Sequence, residues 1–529
     1  MPGPDDGAAS QLERAKSLQE QGDIAGAQAA FEAAISSGHP EVAAEAALNL
    51  GLMLRDAGDA AGARIAFETA ISSAHPDHGA SAAACLTFML RDQQEYDAAL
   101  VALQTAIELG HLQDSPWVAI NMGELLRFKH DLAGAEASYR KALAIGGIEV
   151  VPIAALELGM TLWEGEDIAG AREAFQTAID GQDRRSAAIA SLRLGEMLRD
   201  EGQTREAHAA FTTVMRSEDP DYAPAGALEL GRLLRSLGGS TEAMAAFQYA
   251  IDSVHPKHAQ WAAFELAELH RCLDDSVQAR IAFQAAIDLT GDETDDPAGP
   301  VAAMYLGNML EEAGDLGGAR NAYQAALHFE DPAYTYLAAT SLAEVLRRQK
   351  NTDAAVAAFE LAISAAQPDD ELASLWIRLA RLYESRSEFD RAAAAYRAGI
   401  DASADAPKMR AVAGSQLGDM LRERGDTQGA KASYQIAVDA AEPELSPKAA
   451  RDLGSLLRGN GDYLGAKRAF QIVIDSADPE LTPGAWVQMG LVLHELGDIA
   501  GARAAYQIAA TSGNAWIELL AKENLRRLG

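Results

Sequence analysis

A chain of 529 residues that is 48% hydrophobic is long enough to bury an extended core, and its formal net charge is −34. Nucleic acids and anionic lipid surfaces are not expected as partners, because a strongly acidic surface repels both. Its two cysteines, Cys85 and Cys272, are too few and too far apart for a disulfide framework or a zinc site, so we expect neither a metal nor a cofactor.

The chain opens on a short polar stretch, residues 1–10, which we predict to be a flexible tail. A repeated unit follows from residue 11, and it is clearest in Leu50–Ile71, where apolar residues recur three and four apart on both sides of Gly58-Asp59. This pattern predicts two amphipathic helices joined by a tight turn. Helices this short are unstable alone in water, so neighbouring copies must stack.

One alanine marks the register of 14 copies, and an aromatic residue, or once Leu103, follows it by four positions. Of the 13 intervals between these alanines, ten are 36 residues long and the others are 40, 37 and 38. A fixed period of this size is typical of a solenoid. The alanines are Ala27, Ala63, Ala99, Ala135, Ala171, Ala207, Ala243, Ala279, Ala319, Ala355, Ala392, Ala430, Ala466 and Ala502.

Within a copy, a small residue such as Gly51 is followed by Ala63 after twelve positions, by Phe67 after four more and by Ala70. We expect Gly51 and Ala63 to let the two helices approach, with Phe67 filling the gap towards the next copy. The spacing resembles the tetratricopeptide repeat over roughly residues 11–513, although the period slightly exceeds the family's roughly 34 residues. The resemblance implies an all-α, right-handed α-α superhelical solenoid of about 14 helix-turn-helix repeats with a C-terminal capping helix.

The insertions divide the array into segments. We place repeats one to eight at 11–290 and repeats nine to fourteen at 300–513, separated by an acidic insertion loop at 291–299. The plain interpretation of this loop is a solvated connection; the alternative is a contact with calcium or a basic partner, although its acids lack EF-hand spacing. Residues 514–529 are predicted to form a polar capping helix that packs back on the last repeat.

The sequence contains no phosphate loop, no nucleophile elbow and no histidine pair at metal spacing, so we expect no catalytic residue and no enzyme. Three histidines, His39, His75 and His255, each precede a proline at a junction between copies. We expect their imidazoles to cap the last carbonyls of the preceding helix.

An arginine stands four positions after the small residue in nine copies, often with an acid three residues before it. One interpretation is an ion pair within each helix that keeps the groove hydrated. The other is an arginine ladder that grips an acidic partner strand. The arginines are Arg55, Arg91, Arg127, Arg199, Arg235, Arg271, Arg347, Arg422 and Arg458.

Aromatic residues outside the repeat pattern concentrate in copies three to five. Their rings either fill gaps left by small neighbours or form an exposed patch that binds an apolar segment of a partner. In the second interpretation Arg91 and Arg127 pair with acids beside that segment. The candidate partner-binding groove therefore comprises Phe88, Arg91, Trp117, Arg127, Phe128, Trp163, Arg199, Arg235 and Arg271.

The family's best-known ligand mode is a clamp on a terminal carboxylate, made by an Asn just after the small residue and a Lys three before it. Copy two has Leu52 and Leu48 at these positions, so a chaperone-tail adaptor is not expected. We expect a non-enzymatic scaffold or adaptor that binds a partner protein or peptide in the concave groove, with a ligand-responsive or peptide-responsive regulator as the alternative. Self-association stays open.

The location and source of the protein are inferred from composition alone. The start of the chain has neither a basic segment nor an apolar core, and no run of about 20 apolar residues is present. We therefore expect a cytoplasmic protein. Arginine outnumbers lysine 34 to 10, which with abundant Ala and Gly suggests a GC-rich, bacterial genome.

Overall fold

The computed structural model describes residues 4–110, 112, 115–217, 219–253, 255–290, 297–366 and 371–528. These residues form 29 α-helices and no β-strand, and the chain is 81% helical. It divides into two compact units, Met1–Ala279 and Arg280–Gly529. Every helix in the described part of the chain is too short or too polar to cross a lipid bilayer.

Odd-numbered helices are the first helices of successive copies, and even-numbered helices up to α28 are the second. Those within the first unit are α1 (Pro4–Glu20), α2 (Ile24–Ser36), α3 (Pro40–Asp56), α4 (Ala60–Ser72), α5 (Pro76–Asp92), α6 (Tyr96–Gly110), α7 (Pro116–Phe128), α8 (Leu132–Ile145), α9 (Val150–Glu164), α10 (Ile168–Ile179), α11 (Arg184–Asp200), α12 (Thr204–Met215), α13 (Ala223–Ser236), α14 (Ser240–Ile251) and α15 (Pro256–Cys272). Helix α16 (Ser276–Leu289) includes the boundary between the units.

The second unit continues the same alternation of first and second helices. Its helices are α17 (Ala298–Glu312), α18 (Leu316–His328), α19 (Pro332–Arg348), α20 (Thr352–Ala365), α21 (Leu372–Ser385), α22 (Phe389–Asp401), α23 (Pro407–Glu423), α24 (Thr427–Asp439), α25 (Ser446–Gly459), α26 (Tyr463–Asp475), α27 (Thr482–Glu495), α28 (Ile499–Ala509) and α29 (Ala515–Arg527). In the described residues, fourteen pairs of helices are thus followed by a single helix, and the predicted all-α repeat fold is confirmed.

The core of each copy lies between its own two helices. All 14 register alanines have no solvent exposure, and the side chains four residues later are at most 2% exposed. A Cβ added to Gly51 would lie 2.5 Å from the Phe67 ring, closer than real Cβ contacts allow. The ring therefore packs on the first helix of its own copy, and the expectation that it fills the gap towards the next copy stays a prediction. Where Thr87 occupies the small position, Leu103 replaces the ring.

The predicted Gly-Asp turn is present between the two helices of a copy. Gly58 has a φ of 81°, in the left-handed region, and the Asp59 carboxylate accepts a hydrogen bond from the N–H of Gly62 at 2.9 Å. Asp59 thereby caps the N-terminus of α4, where backbone N–H groups have no partner within the helix. Residues 57–59 are therefore enough to end one helix and begin the next.

Two of the three junction histidines, His39 and His75, cap the following helix, which corrects the expectation that they cap the preceding one, whereas the His255 side chain makes no cap hydrogen bond. The Nδ1 atom of His75 accepts a hydrogen bond from the N–H of His78 at 3.3 Å, and His39 does the same for Val42 at 3.5 Å. The imidazole takes this place because Pro40 and Pro76 start α3 and α5, leaving the next backbone donors exposed at the helix N-terminus.

The ends of the array differ from the sequence analysis. Residues 4–10 belong to α1 rather than to an irregular tail, and residues 291–296 of the acidic loop lie outside the described residues. Helix α29 does pack back, but through Ala521, so Trp516 and Leu519 point outwards and are 69% and 62% exposed. The expected polar outer side is therefore partly apolar.

Candidate protein-binding face

First helices of neighbouring copies approach each other directly, as α9 does α11 and α13 does α15. Their side chains one and four positions after the small residue form what we call the first-helix face. In copy four these positions, called position 1 and position 4, are held by Glu124 and Arg127, following Gly123. Of the predicted binding residues, all but Trp117 and Phe128 are at position 1 or position 4.

The arginines at position 4 in the first unit mostly bind acids of the next copy. This contradicts the expectation of ion pairs within one helix for Arg127 and Arg199. The links between copies are Arg91–Glu124 and Arg127–Glu157, each at 3.1 Å, and Arg199–Glu229 and Arg235–Glu265, each at 2.5 Å. We call this set the ion-pair ladder. It joins successive first helices instead of leaving its guanidinium groups open for a partner.

The ladder is densest between α11 and α15. Arg232 binds Glu229 at 2.7 Å and Glu265 at 2.8 Å, while Arg199 and Arg235 bind the same two acids from either side. Burial lowers the pKa of Arg232, but the two carboxylates raise it more, so its net pKa lies above the ordinary value. The Glu229 and Glu265 side chains are only 14% and 10% exposed, which protects these ion pairs from solvent screening.

The intrahelical arrangement occurs in three later copies. The pairs are Arg271–Glu268 at 2.7 Å, Arg347–Glu344 at 2.8 Å and Arg422–Asp419 at 3.2 Å. The intrahelical pairing is therefore confirmed for these three arginines, and binding of an acidic partner strand stays a prediction. The links between copies were not predicted, because a spacing of three is visible within one helix, whereas a spacing of 30 to 33 residues depends on how copies pack.

Copy five interrupts the ladder. Its position 4 is Trp163, which cannot pair with an acid, and the following Glu196 instead binds Arg193 within α11 at 2.7 Å. The Trp163 ring is half-buried and meets the Phe175 ring edge to face, with 6.5 Å between centroids. Trp163 thus has a packing contact within its own copy as well as a partly exposed surface.

The other predicted aromatic residues do not form one cluster. The Arg91 guanidinium lies over the Phe88 ring at 5.2 Å, so the structure brings these two residues together. Phe128 instead stacks on Tyr96, at the start of α6, with centroids 5.3 Å apart and planes 6° apart. Trp117 is 47% exposed near the start of α7.

The second unit contains a cleft on its first-helix face that the sequence analysis did not single out as a site. Arg347, Arg378 and Arg381 line a cavity of about 350 Å³ between α19 and α21, which we call the arginine cleft. Glu344 is the one carboxylate that lines it; it binds Arg347 at 2.8 Å and Arg378 at 3.4 Å. The lining side chains therefore carry an excess of positive charge in a chain of net charge −34.

Arg381 is held towards the cleft without a carboxylate bound to its Nε. That atom donates to the neutral amide oxygen of Gln416 at 2.9 Å. The nearby Glu384 accepts a hydrogen bond from the Tyr396 hydroxyl at 2.9 Å, and burial, followed by the Glu384 charge, raises the pKa of that hydroxyl. An anion that enters the cleft would therefore meet three guanidinium groups with only one lining carboxylate, Glu344, to neutralise them.

A signal for this cleft was present in the sequence. Position 1 is acidic in several copies, including Glu268 and Glu344, and changes sign at Arg381. Arg378 lies three residues earlier, on the same side of α21. A charge reversal at a fixed repeat position marks a local surface, but which residues of the neighbouring copy complete it depends on the packing of α19 against the following helices.

Comparisons with known families agree with this architecture. The chain matches the tetratricopeptide repeat over residues 12–78 and 451–515, and a tetratricopeptide repeat-like domain over residues 144–271 and 327–454. Together these segments span more than half of the chain. No curated protein matches it.

Several solved structures are similar to parts of the chain. The C-terminal part of a TPR repeat-containing protein from Cytophaga hutchinsonii is 14% identical, with 46% of this chain and 94% of that chain covered and a TM-score of 0.37. Yeast Tom70 is 15% identical, with 85% and 96% covered and a TM-score of 0.27. The MamA protein is 20% identical, with 34% and 91% covered and a TM-score of 0.26. The matches to family models and the repeated helix pairs decide the assignment: the chain belongs to the tetratricopeptide repeat family.

Proposed function

We propose that the chain is a non-enzymatic scaffold that binds an acidic segment of a partner protein in its first-helix groove, with the arginine cleft as an anchor. Tetratricopeptide repeats generally mediate protein-protein interactions and are generally non-enzymatic. The observation that carries the proposal is the local excess of arginine at Arg347, Arg378 and Arg381, facing a single lining carboxylate in a strongly acidic chain. A cytoplasmic location stays a prediction.

The predicted groove residues of the first unit belong to the same proposal in a reduced role. Arg91, Arg127, Arg199 and Arg235 are bound to glutamates of the chain, so a partner would have to displace an internal ion pair to reach them. Phe88 and Trp117 are 41% and 47% exposed and can contact an apolar segment directly. We therefore expect affinity to come first from the arginine cleft, and the aromatic residues to add selectivity.

The test uses the full chain and a fluorescein-labelled oligoglutamate peptide, followed by fluorescence anisotropy. Replacing Arg378→Ala together with Arg381→Ala should weaken binding about tenfold, which corresponds to about 1.4 kcal/mol for two charge contacts. Binding should also weaken as salt is added, since partly exposed charges are screened. The control is Arg397→Ala, which removes an exposed arginine from the second helix α22.

Two results would contradict the proposal. The first is equal binding of the peptide by the double variant and by Arg397→Ala. The second is equal binding of oligoglutamate and oligolysine by the unmodified chain, because an acidic protein without a basic cleft would favour the cationic peptide.

A regulator that changes conformation on binding remains the alternative. It is favoured only by the ion-pair ladder, whose links between copies, such as Arg127–Glu157, would have to rearrange if first helices moved apart. Small-angle scattering with and without bound oligoglutamate distinguishes the two: a scaffold keeps its dimensions, whereas a regulator shortens or lengthens.

A further inference from the structure

A second cleft lies in the first unit. It runs between the second helices α10 and α12 and has α11 as its floor. Two adjoining cavities of about 410 and 440 Å³ form it, and they share Ile179, Ser191 and Thr213 as lining residues. We call it the second-helix cleft.

The cleft is long and narrow. Its lining residues on α11 extend from Arg184 to Leu198, which at 1.5 Å per residue corresponds to about 21 Å. An occupant that fills this length is a linear segment rather than a compact metabolite. The floor and walls are mainly apolar or small. Ile179 and Leu194 are the larger apolar side chains that keep some exposure, whereas Leu198 and Val214 are almost completely buried.

The two ends of the cleft differ in charge. At one end Arg184 and Arg216 line the cavity, and neither guanidinium has an ion pair among the described residues. The nearby Asp183 is occupied as a helix cap, accepting from the N–H of Ser186 at 2.8 Å. At the other end Arg172 is accompanied by Glu206, so that end is close to neutral. The charge complementarity therefore favours an occupant that is acidic at one end only.

The polar groups in the cleft are mostly engaged within the chain. The Thr213 hydroxyl donates to the Ala209 carbonyl at 3.0 Å, and the Gln176 amide donates to Asp180 at 2.9 Å. An extended peptide would find few partners here for its own backbone, whereas a helix satisfies its backbone internally. The small side chains Ala209 and Ala210 leave room for another helix to approach.

The next copy shows what narrows such a cleft. Its residue equivalent to Thr213, six positions after the register alanine, is Tyr249. The Tyr249 hydroxyl reaches from α14 back to the end of α12 and donates to the Met215 carbonyl at 3.2 Å. Threonine at position 213 leaves the corresponding space between α12 and α10 open.

We infer that the second-helix cleft binds an amphipathic helix of a protein partner, with its apolar stripe on Ile179 and Leu194 and an acidic end at Arg184 and Arg216. This site shares no lining residue with the arginine cleft.

The probe is a fluorescein-labelled amphipathic peptide of about 14 residues, the number of helical residues that spans the cleft, with leucines along one face and two glutamates at one end. Thr213→Tyr should weaken binding of the peptide to the full chain at least tenfold. The larger side chain should narrow the cleft in copy six, as Tyr249 narrows the equivalent space in copy seven. Arg184→Glu with Arg216→Glu should weaken it by a similar factor. The double variant Arg378→Ala with Arg381→Ala should bind it as the unmodified chain does.

Thermal melting followed by circular dichroism controls for folding, and if Thr213→Tyr melts early the arginine variant decides. The inference is overturned if a peptide with lysines in place of the glutamates binds equally well, or if neither cleft variant changes affinity. It is also overturned if the arginine-cleft variant alone abolishes binding, or if laurate displaces the peptide at equal concentration, which would assign the cleft to fatty carboxylates.

Discussion

At the scale of single residues, the turn inside each copy holds one residue in the left-handed conformation. Eight of these fourteen residues are glycine, and the other six carry side chains: Gln94, His130, Glu166, Asp274, Lys350 and Ser387. The φ of Glu166 is 63° and that of Gly202, in the next copy, is 73°. The backbone geometry is therefore conserved along the array while the residue that best tolerates it is not.

This difference predicts that Glu166→Gly stabilises the protein. A residue with a Cβ costs about 1–2 kcal/mol in the left-handed region, and glycine avoids most of that cost. We expect the free energy of unfolding to rise by about 1 kcal/mol in urea titrations. The matched control is Gly202→Glu, which should lower it by a similar amount; a change of the same sign in both variants would contradict the argument.

His258 gives the protein a pH-dependent contribution to stability. Burial, followed by the charges of His255 and Lys257, lowers the pKa of its imidazole to about 4, against 6.5 in the unfolded chain. Between these two values the unfolded chain binds more protons than the folded one. The stabilising contribution is therefore complete above 6.5 and is lost as the pH falls towards 4.

The measurement compares urea midpoints of the unmodified chain and His258→Gln at about pH 7 and about pH 4.5, on either side of most of this loss. The unmodified chain should lose stability relative to the variant at the lower pH. His258→Asn controls for packing, since a packing defect lowers stability equally at both pH values. A stability difference between the unmodified chain and the variant that is independent of pH would show that folding does not lower the pKa of the His258 imidazole.

At the scale of helices, the sequence predicted the elements better than the contacts between them. The alanine and aromatic register gave the helix pairs, because spacing within a helix is set by its 3.6-residue period. The contact between the Phe67 ring and Gly51 was not predicted, because it depends on how the two helices of a copy pack across the turn. The ion-pair partners of the arginines were mispredicted for the same reason. Glu124 lies three residues from Arg127 but binds Arg91 of the preceding copy.

The candidate sites follow the same division. Arg347 was found because it belongs to a regular column, whereas Arg378 and Arg381 depart from that column and become a site only where α21 packs beside α19. The second-helix cleft was not predicted. Nothing in the sequence marks Thr213, and its effect on the cleft is seen only by comparison with Tyr249, which narrows the equivalent space in the next copy. Both proposals thus rest on positions at which one copy differs from its neighbours.

The ion-pair ladder should couple neighbouring copies energetically. A double-mutant cycle on Arg235→Met and Glu265→Gln measures one link between copies, in which the Glu265 side chain is 10% exposed. A second cycle on Arg271→Met and Glu268→Gln measures a pair within one helix, where about 0.2–0.5 kcal/mol is typical. We expect the larger coupling energy for the first cycle, because less water screens it. Equal coupling energies would mean that a ladder link contributes no more than an ion pair within one helix.

At the scale of the whole molecule, each copy is stabilised by its own helix pair and by its neighbours along the chain. The net charge of −34 opposes this cohesion, because like charges along the array repel each other. Cohesion comes from the buried alanine and aromatic residues, repeated in every copy. Stability should therefore be close to a sum of local terms and nearest-neighbour terms.

Phe247→Ala tests this one-dimensional behaviour. The Phe247 ring is completely buried in copy seven and lies against Gly231, so its removal should cost roughly 3–5 kcal/mol locally. Copies on either side keep their own cores and should unfold at different urea concentrations, giving more than one transition by circular dichroism. Tyr249→Ala, on the same helix but 45% exposed, is the control and should shift the curve far less. A single cooperative transition with an unchanged midpoint in Phe247→Ala would instead show that the two halves of the array do not unfold separately. Stability would then not be a sum of local and nearest-neighbour terms.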